Sequence, residues 1–270
     1  MNKLSKKSPS NEAWVMLTAY DALMARQVEN GGADLILVGD SLGKAILGYE
    51  GVEEVTLDDM AHHCKAVCRG RKNIPVIGDL PQGTYENVQQ AIKSSQKLMN
   101  QGVDYVKLEG FIPDIIKTLC DNKTPVIAHL GHTPQKADPN GKVVSANRLE
   151  SAKILLQNCI EIEKAGASAI VLEMVSREVV KTITDVLKIP TIGIGSGPDS
   201  DGQVLVITDM WGESEYEFKF LRKFGEIEQN KCEAVKSYCS AVRKGDYPAD
   251  ENSFHIKKDE KTLWEEISQS

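Results

Sequence analysis

Short apolar runs alternate with longer amphipathic segments along most of the chain. The short runs predict buried strands at Val15–Thr18, Leu35–Val38, Val76–Ile77, Tyr105–Leu108, Val126–Ala128, Ala169–Leu172, Thr191–Ile194 and Val204–Ile207. The amphipathic segments predict helices at Ala22–Glu29, Leu57–Arg69, Glu86–Asn100, Ile112–Cys120, Arg148–Ala165 and Arg177–Leu187. Continuous apolar strands separated by helices are typical of a parallel sheet that is covered on both faces. Roughly eight such units favour an α/β fold of the (β/α)8 TIM barrel type over an open doubly wound sheet.

The pattern also predicts how the chain is divided. We expect an N-terminal extension at 1–13, a single barrel domain at 14–255 and a charged tail at 256–270. An additional amphipathic helix is predicted at Glu226–Arg243, still within the barrel domain. No Pro/Ser-rich linker interrupts the chain, which favours one domain over two.

Composition excludes several classes of function. Thirty-two Lys and Arg residues against 39 Asp and Glu residues give a formal net charge of −7, whereas nucleic-acid binding usually needs a basic surface. The N-terminal residues lack the apolar core of a secretory signal, and no apolar run approaches the roughly 20 residues that span a bilayer. We therefore expect a cytoplasmic protein with no nucleic-acid or membrane partner. The six cysteines are expected to be free and packed, with Cys232 and Cys239 forming one buried helical stripe.

Charged side chains follow most of the predicted strands. In strand order they are Asp40, Asp79, Lys107 with Glu109, His129 and Glu173. Since the carboxyl ends of barrel strands surround one mouth, four carboxylates there would repel unless a cation or protons offset them. Mg²⁺, a hard cation that takes oxygen ligands, is the simplest solution. The alternative is that the carboxylates only cap the helices that follow.

A glycine-rich stretch, IGIGSG, follows the seventh predicted strand. It lacks the spacing of a phosphate-binding or dinucleotide-binding loop. Its backbone amides could hold a carboxylate or phosphate, or the glycines could serve only a tight turn. Both interpretations stay open at this point.

These residues lie in longer sequence motifs that resemble those of the ketopantoate hydroxymethyltransferase family. These motifs, in family order from about residue 14 to about residue 255, are LTAYDALMARQVENGGADLILVGDSLG, VTLDDMAHHCKAVCRG, IGDLP, VKLEG, HLGHTPQ, VLEMV, IPTIGIGSG, DGQVLV and YPADENSFH. The resemblance implies a (β/α)8 barrel related to phosphoenolpyruvate mutases and isocitrate lyases. It also implies a homodecamer made of two pentameric rings.

The resemblance implies a role for each of the charged residues. Asp40 and Asp79 match Mg²⁺ ligands, and Glu109 matches a residue that helps to hold the water shell of the metal. Glu173 matches the proposed general base, and His129 matches a polar group near the newly formed hydroxymethyl group. Asp79 is also expected to face the substrate.

The remaining matches concern the substrate. Ser41 and Lys107 match groups that bind the carboxylate end of a 2-oxo acid. The apolar wall around its branched tail is matched by Tyr20, Ile194, Val204 and Val206. The implied reaction is Mg²⁺-dependent transfer of a hydroxymethyl group from 5,10-methylenetetrahydrofolate to C3 of 3-methyl-2-oxobutanoate, which gives 2-dehydropantoate in pantothenate biosynthesis.

The loops around the expected mouth depart from the family pattern. Residues 44–54 contain Lys44 and an acidic EGVEE stretch, and residues 136–147 replace a glycine-rich family segment. His132 and Thr208 also differ from the residues that the family prefers. Because loops select substrates, a Mg²⁺-dependent aldol or lyase enzyme with another 2-oxo acid or carbon donor is the main alternative. A non-catalytic barrel is a third possibility, which the intact charged set disfavours.

Overall fold

Eight parallel strands close into a barrel in the computed structural model, which describes residues 4–136, 144–214 and 217–268. The strands are β1 (Trp14–Thr18), β2 (Leu35–Val38), β3 (Val76–Asp79), β4 (Tyr105–Glu109), β5 (Val126–Gly131), β6 (Ala169–Glu173), β7 (Thr191–Ile194) and β8 (Gly202–Leu205). The helices are α1 (Ala22–Asn30), α2 (Leu57–Gly70), α3 (Val88–Met99), α4 (Pro113–Asp121), α5 (Leu149–Ala165), α6 (Arg177–Val186), α7 (Ile207–Trp211), α8 (Ile227–Lys244) and α9 (Lys261–Ser268). Each strand pairs with its sequence neighbour, and β8 pairs with β1. The predicted (β/α)8 fold is confirmed.

Alternation along the strands divides the apolar residues into two layers. One layer fills the barrel interior and includes Met16, Leu35, Ile77 and Tyr105. The larger layer lies between the strands and the surrounding helices. Because successive side chains on a strand point to opposite faces, residues two positions beyond an interior residue also point inward. Polar residues at those positions therefore point into the barrel mouth.

Side-chain caps fix where the first helices begin after the mouth loops. Asp21 accepts a hydrogen bond from the backbone amide of Met24 at the start of α1. At the start of α2, Thr56 and Asp59 exchange reciprocal hydrogen bonds as a capping box. These caps satisfy amides that the first helical turn leaves free.

The last strand differs from its prediction. We predicted a strand at Val204–Ile207, but β8 runs from Gly202 to Leu205 and Ile207 begins α7. The backbone amide of Ile207 donates to Thr18 Oγ1 and so leaves the sheet. Gly202 can pair with Trp14 because glycine has no Cβ atom. A Cβ atom there would lie 2.5 Å from the Trp14 backbone oxygen and would clash with it. The pattern placed this strand two residues too late because β8 begins at a glycine, Gly202, and because α7 begins at a β-branched residue, Ile207.

Residues before β1 pack against the end of the barrel opposite the mouth. The Lys6 ammonium pairs with Asp201 at 2.6 Å and donates to the carbonyl of Thr184 at 2.8 Å. The indole of Trp14 donates to the carbonyl of Ser5. The described part of the predicted N-terminal extension therefore contacts the barrel directly, while the predicted domain bounds stay a prediction.

Helix α8 and helix α9 bury none of their side chains against the described residues. Cys232 is exposed and Cys239 is half-buried, so the predicted packed stripe is wrong for this chain, because the described residues leave that face of α8 largely uncovered. Cys64, Cys120 and Cys159 are buried and form no disulfide, as expected. None of the helices in the described ranges combines the length and apolarity that crossing a bilayer requires.

Candidate active site

Three buried carboxylates meet at the barrel mouth. Asp40 follows β2, Asp79 ends β3 and Glu109 ends β4, and one oxygen from each lies within 4.8 Å of the others. All three side chains are almost fully buried. This acidic group confirms that the polar strand ends come together, and it could hold a metal ion.

Lys107 links two of these carboxylates. It lies on β4 two positions beyond the interior residue Tyr105, and its ammonium contacts Asp79 at 2.6 Å and Glu109 at 3.4 Å. Burial disfavours the charged amine, but the surrounding carboxylates outweigh burial and raise the pKa of Lys107. Lys107 therefore stays cationic within the mouth.

The Asp40 and Asp79 carboxyls oppose each other electrostatically. Burial, together with the charge of Asp79, raises the pKa of Asp40 to about 8. Burial also raises the pKa of Asp79, although Lys107 works against this. Two carboxyls that resist ionisation side by side favour a shared proton or a bound cation.

The donor set fits a divalent cation. Asp79 Oδ1 is buried and has no hydrogen-bond partner among the described residues, so it is free to act as a ligand. With Glu173 the site has four carboxyl groups, against the two positive charges of Lys107 and a protonated His129. A divalent cation would balance the remaining charge, and oxygen ligands are those that Mg²⁺ prefers.

His129 joins this acidic group to Glu173. Its Nδ1 lies 3.0 Å from Glu109 Oε1, and its Nε2 lies 3.2 Å from Glu173 Oε2, although the second contact lacks hydrogen-bond alignment. Burial opposes the imidazolium, but Glu109 outweighs it and raises the pKa of His129 to about 9. Burial likewise opposes ionisation of Glu109, yet His129 and Lys107 lower its pKa to about 2.

Glu173 is the most accessible of these carboxylates. Its side chain is 20% exposed, whereas those of Asp79 and Glu109 are 1% exposed. It ends β6, two positions beyond the interior residue Val171. Glu173 therefore lies where a bound small molecule could reach it.

The residues predicted to contact substrate occupy different depths. The hydroxyl of Tyr20 hydrogen-bonds Ser41 Oγ at 2.9 Å, and burial raises the pKa of Tyr20 to about 12. Ile194 ends β7 and Val206 precedes α7, both half-buried. Val204 is deeper, within the apolar barrel interior beside Met16.

Two residues at the mouth had not been predicted. Gln135, in the turn Pro134–Lys136, is 3% exposed and donates through Nε2 to Asp40 Oδ2 at 2.7 Å. Tyr85 donates to Gln135 Oε1. The sequence signal for Gln135 is its place at the end of the HLGHTPQ stretch that resembles the family, to which no role for Gln135 was attached.

The divergent loop 44–54 lies against the turn that carries Gln135. A single helical turn at Gly43–Leu47 leads to a second turn at Val52–Glu54, which lies against the turn Pro134–Lys136. Glu54 Oε1 accepts hydrogen bonds from the backbone amides of Glu50 and Gly51. Most of the divergent segment 136–147 lies outside the described residues.

In the IGIGSG stretch, Gly195 and Gly197 have φ values of 63° and 79°. A Cβ atom on Gly195 would lie 2.5 Å from Met174 Sδ. This geometry explains the glycines as turn residues, and an anion-binding role stays a prediction.

The closed (β/α)8 barrel is an architecture that solved enzyme structures share. A solved structure described as 2,3-dimethylmalate lyase, a PEP mutase/isocitrate lyase superfamily member, matches with a TM-score of 0.57. The match covers 96% of this chain and 94% of that one at 14% identity, which establishes similarity of fold alone. The predicted similarity to the fold of this superfamily is confirmed.

Sequence comparison gives the family. The ketopantoate hydroxymethyltransferase family matches residues 1–250. A 3-methyl-2-oxobutanoate hydroxymethyltransferase of Syntrophomonas wolfei subsp. wolfei is 42% identical over 262 residues, covering 95% of each chain. One from Bacillus pumilus is 42% identical, covering 94% of this chain and 93% of the relative. The chain belongs to the ketopantoate hydroxymethyltransferase family and is a transferase.

Proposed function

We propose that the protein transfers a hydroxymethyl group from 5,10-methylenetetrahydrofolate to C3 of 3-methyl-2-oxobutanoate in pantothenate biosynthesis. The observation that carries the proposal is the continuous chain of contacts from Asp79 through Lys107, Glu109 and His129 to Glu173. It sets an acidic group suited to a cation beside a more accessible carboxylate suited to proton transfer. Relatives with this activity in their names, at about 42% identity, support it.

Asp40, Asp79 and Glu109 would hold Mg²⁺. When bound, Mg²⁺ supplies Lewis-acid polarisation of the 2-oxo acid and so acidifies its C3 proton. Asp79 Oδ1 and one oxygen of Asp40 offer ligand atoms, whereas both Glu109 oxygens accept hydrogen bonds from the protein. This difference supports a role for Glu109 in holding the water shell of the metal.

Glu173 is the proposed general base. It removes the C3 proton, and the resulting carbanion attacks the methylene carbon of the folate. One of the two carbon–nitrogen bonds of the methylene bridge breaks as the carbon–carbon bond forms. Water then replaces the second nitrogen, supplies the hydroxyl oxygen of the 2-dehydropantoate product and leaves its proton on tetrahydrofolate. His129, cationic at neutral pH and 3.2 Å from Glu173, is suited to holding that carboxylate ionised and to donating toward the new hydroxymethyl group.

Substrate binding would use the remaining groups of the mouth. A lysine ammonium has three protons, and Lys107 directs two of them at Asp79 and Glu109, which leaves one for a substrate carboxylate. Ser41 and Asp79 are proposed to contact the same end of the substrate. Tyr20, Ile194, Val204 and Val206 are proposed to line its branched tail, with Val204 acting from the interior.

One assay tests the function and its alternative. We expect the protein to exchange the C3 proton of 3-methyl-2-oxobutanoate with solvent deuterium when Mg²⁺ is present and not with chelator. Addition of 5,10-methylenetetrahydrofolate should then give 2-dehydropantoate, as followed by NMR. Exchange without that product would favour another carbon donor, in keeping with the divergent loops. Exchange only with a different 2-oxo acid would favour a different substrate, and no exchange with any 2-oxo acid would contradict both.

A homodecamer is proposed as the assembly. Helix α8 exposes Val235, Tyr238 and Val242, and α9 exposes Trp264, so this chain alone leaves large apolar side chains in water. An apolar groove of about 210 Å³ between β1, α1 and α7 is similarly uncovered. A second copy of this chain would cover both surfaces. The ring arrangement itself rests on the family resemblance.

We expect sedimentation to give a species well above the dimer, and Val235→Glu to reduce its size. The substitution places a charge on the exposed apolar face of α8. Val186→Glu is the matched control, because Val186 is 50% exposed on α6 against 61% for Val235. A parent of about 30 kDa, or equal dissociation by both variants, would contradict the proposal.

The cytoplasmic location and the absence of nucleic-acid partners stay predictions.

A further inference from the structure

The geometry points to Gln135 as a positioning residue that orients the metal-binding carboxylates. The inference rests on the proposed metal site, but it concerns a residue to which no role has yet been given. Gln135 lies on the loop after β5 and is surrounded by residues from three other strand ends.

Gln135 contacts two of the three carboxylates through different atoms. Its side-chain Nε2 donates to Asp40 Oδ2 at 2.7 Å, and its backbone amide donates to Glu109 Oε2 at 3.2 Å. Because Oδ2 of Asp40 is held by this donor, the second oxygen of Asp40 is left for the centre of the acidic group. One residue therefore fixes the orientation of carboxylates that come from β2 and β4.

The direction of the Gln135 amide is determined by its neighbours. Nε2 also donates to the backbone carbonyl of Leu80 at 2.9 Å, and a carbonyl oxygen can only accept. On the other side Oε1 accepts from the hydroxyl of Tyr85. A rotated amide would place its oxygen against the carbonyl of Leu80 and the carboxylate of Asp40. The carbonyl of Leu80 and the carboxylate of Asp40 thus keep the donating end of Gln135 toward Asp40, and the hydroxyl of Tyr85 satisfies its accepting end.

Burial makes this arrangement energetically important. Gln135 is 3% exposed and Tyr85 is 4% exposed, so water cannot replace a lost partner at low cost. Hydrogen bonds that orient metal ligands typically change metal affinity by about 10–100-fold when they are removed. We expect an effect of this size for Gln135.

The test is Mn²⁺ and Mg²⁺ binding by isothermal titration calorimetry, with no substrate present. Gln135→Met keeps the length of the side chain and removes both side-chain donors, and it should weaken metal binding about 10–100-fold. Tyr85→Phe removes the hydroxyl that donates to Gln135 Oε1 and accepts from the backbone amide of Glu109, and it should weaken binding in the same direction by less. If Gln135→Met does not fold, Tyr85→Phe still decides, because parent-like affinity in that variant would overturn the inference.

A second glutamine provides the control. Gln203 is exposed and donates to the carbonyl of Gly197 and to Ser200 Oγ, each at 2.9 Å. Gln203→Met should leave metal affinity at the parent value. A role limited to stability would lower the melting temperature of Gln135→Met without changing its affinity, which would contradict a positioning role. If the parent binds no divalent metal, the proposed function itself fails, and that result is distinct from equal binding by parent and variant.

Discussion

Replacing Glu173 with Gln is expected to abolish C3 proton exchange while substrate and Mg²⁺ still bind. Gln keeps the size and hydrogen bonding of the side chain but cannot accept the proton, so the loss should appear in turnover and not in affinity. We expect a decrease of at least about 10²-fold, the lower end of what a positioned base contributes. The measurement is deuterium exchange into 3-methyl-2-oxobutanoate at saturating substrate and metal.

Glu178→Gln is the control for that experiment, since Glu178 is an exposed carboxylate on the following helix α6. Exchange should be unchanged in this variant. Exchange that survives in Glu173→Gln at saturation would mean that another group is the base. His129 would be the next candidate, although a pKa of about 9 keeps it protonated near neutral pH and therefore makes it a poor acceptor.

The second large effect is expected for Asp40→Asn, which should reduce divalent-metal affinity by more than the about 10–100-fold that follows loss of an orienting hydrogen bond, while the barrel stays folded. The substitution removes a charged ligand from the end of β2, away from the apolar interior. Titration calorimetry with Mg²⁺ measures the loss. Asp58→Asn is a suitable control, because Asp58 is an exposed carboxylate paired with Lys97 on the surface. Parent-like affinity in Asp40→Asn would exclude Asp40 as a ligand.

The same variant should change how stability depends on pH. Since the pKa of Asp40 is raised from 3.8 to about 8, the folded protein holds a proton that the unfolded chain has lost between these values. The contribution of Asp40 to stability therefore falls as pH rises from about 4 to about 8 in metal-free protein. Asn cannot lose a proton. Between pH 5.5 and pH 8.5, with chelator present, the melting temperature of Asp40→Asn should therefore fall less than that of the parent. Equal pH profiles would contradict a buried, proton-holding Asp40.

The position of the charged site could be predicted from the sequence because strand alternation determines it. Ile77 and Tyr105 point into the barrel, so Asp79 and Lys107, two residues further along, must point the same way. Parallel strands then bring these ends to a single mouth. The prediction needed only the strand positions and the polar residues that follow them.

Other features depend on contacts that no local pattern records. Gln135 is one polar residue in a loop, and only the folded barrel brings its amide to Asp40. The exposed face of α8 resembles that of any amphipathic helix that packs on a core, so the sequence predicted buried cysteines where Cys232 is exposed. The Lys6–Asp201 pair joins residues far apart in the chain and had no signal in either segment.

The placement of Gln135 limits how this barrel could be given a new specificity. The four carboxylates lie at the ends of strands β2, β3, β4 and β6, so the variable loops could be exchanged with those of a relative without moving them. Gln135 lies at the beginning of one such loop and is hydrogen-bonded to two of the carboxylates. A chimera that replaces the β5 loop should therefore join after residue 135. A junction placed before it would keep the contact to Asp40 only if the donor loop supplies a glutamine at that position.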